Sequence, residues 1–165
     1  MNVVIAYEDL ETGKRAMKTY EYMVQQLGNQ CLFANQMWKF DVLAVSKLKE
    51  IAAKDAATAD IIIVSAYEGR ELPSEVKTWI DLWLSYKTEA GALVALCHGQ
   101  AEQNPVRTYL NRVAQHGKME FFCQPGSSNS TRSTTTLAQP LGKTVAFLTS
   151  ATEEVPSFSH WGINE

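Results

Sequence analysis

Glu8 and Asp9 follow the apolar run "VVIAY" and lead into "ETGKR", where Thr12 and Gly13 precede Lys14 and Arg15. A glycine there lets backbone N–H groups approach an anion at a helix start, and Lys14 with Arg15 would add positive charge. The acidic pair Glu8 and Asp9 would repel that anion, and alone they are weak metal ligands. A second group, Ser65, Tyr67 and Glu68, lies in "SAYEGREL" at the end of the apolar block "IIIV". A tyrosine ring in such a loop can stack on a planar heterocycle, adding ~1 kcal/mol beyond burial. His98, after Cys97, ends another apolar run, "ALVALC".

Several chemistries fail on spacing. The phosphate-cradling motif G-x-x-x-x-G-K-[ST] needs glycine where Glu8 stands and a hydroxyl where Arg15 stands. Ser65 and His98 suggest a nucleophile and base, but the G-x-S-x-G elbow is absent and no carboxylate is placed to orient the histidine. Cys97 and His98 are neighbours in one strand and point to opposite faces. Cys31, Cys97 and Cys123 have no CxxC spacing, so no metal site is expected and buried free thiols are the default. Cys97 and Cys123 end adjacent strands in the arrangement below, as a redox pair would require.

The elements that must position these residues alternate. "NVVIAY" reads as a strand, and "GKRAMKTYEYMVQQLG" as a helix with Ala16, Tyr20, Met23, Val24 and Leu27 inward. "QCLFAN" reads as a second strand, followed by an aromatic link "QMWKF" and a helix over 46–58. Ile61 to Val64 is a third strand, and Pro73 opens a helix carrying Val76, Trp79, Ile80 and Trp83. "ALVALC", a helix opened by Asn104 and Pro105, and "MEFFC" complete the series. Near-continuous apolar strands joined by helices predict an α/β fold with a five-stranded parallel sheet in three layers. Trp79 and Trp83 read either as core or, with Phe121, as an interaction surface. From 126 to 165 the chain is rich in Ser, Thr, Gly and Pro, so a domain over 1–125 with a flexible tail is expected.

This order of elements resembles the flavodoxin-like fold shared by flavodoxins and response-regulator receivers. The resemblance implies a doubly wound sheet of order 2-1-3-4-5 with a crevice where strands 1 and 3 diverge. The fifth helix is missing, or replaced by the tail, which would leave a bare apolar strip near Phe121. "SAYEGREL" is similar to the flavodoxin loop Ser-Thr-Trp-Gly-x-Gly-Glu-Leu, with Tyr67 in the flavin-stacking place, and "ETGKR" to its phosphate loop, keeping Thr12 and Gly13. Against the receiver pattern, Glu8 and Asp9 match the acidic pair, Ser65 replaces the phosphoacceptor Asp, and Gln124 replaces the Lys. A serine hydroxyl cannot form the required acyl phosphate.

The resulting expectation is a non-catalytic, receiver-like domain acting by protein binding or self-association, without a cofactor. The alternative is an FMN- or nucleotide-binding protein of electron-transfer type using Thr12, Gly13, Lys14, Ser65 and Tyr67. Composition bounds both. With 165 residues, 45% of them hydrophobic, and a net charge of -3, the chain lacks the basic excess that nucleic acid selects and any run long enough to span a bilayer. A cytoplasmic location is expected, with no membrane partner.

Overall fold

In a computed structural model the described residues are 1–87, 91–98 and 104–124. Five strands, β1 (Asn2–Tyr7), β2 (Ala34–Lys39), β3 (Ile61–Tyr67), β4 (Ala92–His98) and β5 (Glu120–Gln124), form one parallel sheet of order β2-β1-β3-β4-β5. Between them run α1 (Leu10–Leu27), α2 (Ser46–Ala57), α3 (Ser74–Tyr86) and α4 (Pro105–His116), with a short 3-10 turn at Phe40–Ala44. The predicted architecture and strand order are those observed.

The two-residue period of a strand sends alternate side chains to opposite faces. Val4, Ala6, Ile62, Val64, Leu93 and Ala95 face α2, α3 and α4, while Val3, Ile5, Ile61, Ile63, Val94 and Leu96 face Ala16 and Met23 of α1. β1, β3 and β4 are therefore apolar on both sides, as central parallel strands must be. Trp79 and Trp83 are fully buried in the three-helix layer, their rings 6.2 Å apart, so they supply no exposed surface in this fold. Phe121 packs into that same layer. Its neighbour Phe122 turns to the α1 side.

Two elements differ from expectation. β2 is "ANQMWK" rather than "QCLFAN", which makes Trp38 a strand residue opposite Ala6. As an edge strand it is only half-covered, so its apolar density is low, whereas Leu32 in the preceding link is 92% exposed. Second, α1 begins at Leu10, which places Thr12 and Gly13 inside the helix. Gly13 is required there by packing: a Cβ would come within 2.9 Å of the Tyr7 ring. The expected tail and what stands in the fifth helix's place lie outside the described residues.

Candidate functional site

The carboxyl ends of β1, β3 and β4 bring together the residues singled out above. β1 turns into α1 through Glu8 and Asp9 alone. Asp9 is the N-cap of α1: its Oδ1 accepts the Thr12 N–H at 3.0 Å, and its own N–H donates to Thr12 Oγ1 at 2.8 Å. This reciprocal box satisfies orphan donors of the first turn. Hydrogen bonding to the Thr12 backbone holds the Asp9 carboxyl below the usual carboxylate range. Thus the anion at the helix N-terminus is the protein's own carboxylate.

Glu8 binds in the other direction. Its Oε2 accepts the Tyr67 backbone N–H at 3.0 Å, its N–H donates to the Ser65 carbonyl at 3.1 Å, and Oε1 lies 3.9 Å from exposed Arg70. Ser65 is fully buried, and its Oγ donates to the Thr12 carbonyl at 2.8 Å. It ties α1 to β3 and presents no hydroxyl to a ligand. Lys14 pairs with Glu11 at 3.0 Å on the exposed face of α1.

Tyr67 and His98 are register partners at the tips of β3 and β4, with ring centroids 5.4 Å apart and planes at 89°. Hydrogen bonding to Asp9 raises the pKa of the Tyr67 hydroxyl. The Glu68 N–H donates to the His98 carbonyl at 2.9 Å, extending β3–β4 pairing past the strand ends, and Gly69, at φ +85°, then turns the chain away.

Arg15 completes the rim. Its Nη1 donates to the Cys97 carbonyl at 2.7 Å and lies 3.4 Å from His98 Nδ1, while Nη2 reaches the Gln124 carbonyl at 3.5 Å. A guanidinium carries donors only, so a hydrogen bond here takes His98 Nδ1 as its acceptor. In the sequence Arg15 offers a positive charge beside Lys14. Had α1 been started at Leu10, helical spacing would have separated it from exposed Lys14.

Of the predicted residues, the fold gathers Glu8, Asp9, Tyr67, Glu68 and His98 at one rim. It uses Thr12, Gly13 and Ser65 to seat α1, and points Lys14 away. A concavity of about 760 Å³ lies beside this rim, between α3 and α4, lined by Leu72, Lys77, Arg107, Tyr109 and Arg112 among others. It contains neither aromatic of the Tyr67–His98 pair. Among the described residues no group of three or more His, Cys, Asp or Glu is placed to hold a metal ion, and no helix is long and apolar enough to cross a membrane.

No protein-family model matches the sequence, and neither does a curated protein. Solved structures do share its fold. A flavodiiron core from Synechocystis superimposes with a TM-score of 0.54 at 13% identity, covering 76% of this chain, which spans only 30% of that one. The Trp repressor binding protein of Bacillus subtilis gives 0.49 at 11% identity, covering 77% of this chain and 84% of that one. General stress protein 14 of Treponema denticola, solved in complex with FMN, gives 0.45 at 12% identity, covering 76% and 83%. The fold is the flavodoxin-like α/β fold. The expectation of a receiver-like interaction domain is corrected: the structure that superimposes at 0.54 is a flavodiiron core and not a receiver, and the acidic pair that supported the expectation is committed elsewhere, Asp9 to the α1 cap and Glu8 to the Tyr67 backbone.

Proposed function

We propose that this chain is a flavodoxin-like binding domain whose crevice takes the planar ring of a flavin or nucleotide base, with Tyr67 and His98 as its ring contacts. The observation that carries this reading is the perpendicular Tyr67–His98 pair at the tips of adjacent central strands. Tyr67 ends β3, which with β1 flanks the switch point where open α/β sheets of this order receive ligands, and His98 adjoins it from β4. Perpendicular rings present one face and one edge, so a heterocycle can stack on one and meet the positive edge of the other. Arg15 and Glu8 fix the two flanks by hydrogen bonds to the backbone of β4 and β3.

The residues fit the ring of FMN and not its phosphate. A phosphate at the start of α1 would replace the Asp9 carboxylate on the Thr12 N–H and stand beside Glu8, while Thr12 Oγ1 is already bonded to Asp9. Like charges so close oppose binding. A flavin, when bound, supplies redox chemistry of its own; this chain's residues hold and orient the ring. The first test is quenching of flavin fluorescence by the purified protein. Quenching that saturates supports the reading, and unchanged fluorescence at high protein concentration refutes it for flavins.

A further inference from the structure

Behind the rim, on the three-helix face of the sheet, two thiols share one edge. Cys123 is opposite Ala95 in the β4–β5 register, so Cys97 lies two residues further along β4 with its side chain on the same face. Cys97 is buried, and Cys123, on β5 at the end of the strand order, is partly buried. Arg15 bonds to the Cys97 and Gln124 carbonyls on either side of the pair. We propose that Cys97 and Cys123 are a redox-sensitive dithiol that closes to a disulfide by exchange with a small disulfide, Cys123 attacking first.

Their ionisation suits that order. Hydrogen bonding with Cys97, aided by the positive charges of Arg107 and Arg15, pushes the Cys123 thiol down to about 7 against the opposing effect of burial. Hydrogen bonding with Cys123 and burial push the Cys97 thiol up. Exchange needs a thiolate, which Cys123 supplies near neutral pH, and its partial exposure is the route by which the oxidant reaches it. The Cys123 thiolate attacks one sulfur of the small disulfide, whose S–S bond breaks and releases one thiolate. Cys97 gives up its proton and attacks Cys123 Sγ, displacing the second. Two cysteine thiols are oxidised, one small disulfide is reduced to two thiols, and both protons pass to them.

Strand spacing of about 4.8 Å and a two-residue offset of about 6.6 Å put the Cα atoms roughly 8 Å apart. A disulfide spans up to about 7 Å, so the end of β5 must slide toward Cys97 as the bond forms. Among the described residues β5 pairs with β4 alone, which leaves its end freer to slide than a central strand's. Strain makes the closed form easily reduced.

The test treats the full chain with excess oxidised glutathione, quenches with an alkylating agent and maps the peptides by mass spectrometry. The wild type is expected to show a Cys97–Cys123 disulfide with Cys31 alkylated, reversed by reduced glutathione. Cys97→Ser is expected to stop at a glutathione adduct on Cys123. All three thiols alkylated in the wild type, an adduct confined to Cys31, or a stable wild-type adduct on Cys123 without closure would each overturn the proposal. The wild-type pattern decides alone if the variant does not fold.

Discussion

Glu8 Oε2 accepts the backbone N–H of Tyr67 at 3.0 Å, across 59 residues of sequence. One carboxylate thereby joins the turn after β1 to the backbone at the tip of β3. Glu8→Ala removes the acceptor. The Tyr67 amide is then expected to exchange with solvent faster than in the wild type, read by hydrogen exchange, while amides in the middle of β3 keep their protection.

Asp9 makes stability depend on acid in a direction that can be worked out. Its folded pKa lies below the ordinary value of 3.8, so the folded state binds its proton less readily than the unfolded chain. The resulting stabilisation is present above the unfolded pKa and is lost as pH falls through the folded one. Asn also caps helices well, so Asp9→Asn keeps the cap and removes the titration. In thermal melts against pH, the wild type's margin over this variant should shrink as pH drops below about 4.

Ser65→Ala removes the buried hydroxyl that holds the Thr12 carbonyl at 2.8 Å. A net loss of about 1 kcal/mol is expected from denaturant unfolding, with flavin affinity unchanged. Reduced affinity at unchanged stability would instead place the hydroxyl in the ligand site.

Trp79 and Trp83 carry buried indole N–H groups that find no hydrogen-bond partner among the described residues. Trp83→Ala should cost about 3–5 kcal/mol through the cavity it opens. Trp83→Phe deletes the unpaired donor along with part of the ring, so its cost should be at most half as large in the same unfolding experiment.

Much of this fold was legible because central parallel strands announce themselves. "VVIAY", "IIIV" and "ALVALC" are apolar on both faces, and Pro73 and Asn104-Pro105 mark the starts of α3 and α4. β2 was misplaced because an edge strand needs little apolar density: "ANQMWK" pairs through its backbone, while the more apolar "CLF" belongs to a link. Gly13 is misleading in the sequence for a related reason. A glycine suggested a loop, yet it is the Tyr7 ring against the helix that excludes a side chain there. Asp9 followed three residues later by Thr12 was the available signal of a reciprocal cap. Arg15 could not be found from spacing alone, since its partners at Cys97, His98 and Gln124 are 82 to 109 residues away.

The measurement that tests the central claim most directly is a paired titration of riboflavin and FMN, followed by fluorescence quenching, on the wild type and on Tyr67→Ala. If the crevice holds the ring and the α1 N-terminus is closed to phosphate by Asp9, riboflavin binds at least as tightly as FMN, and Tyr67→Ala weakens both by about tenfold, equivalent to ~1.4 kcal/mol. FMN bound about a hundredfold more tightly than riboflavin would contradict the account, as would equal binding by the wild type and Tyr67→Ala.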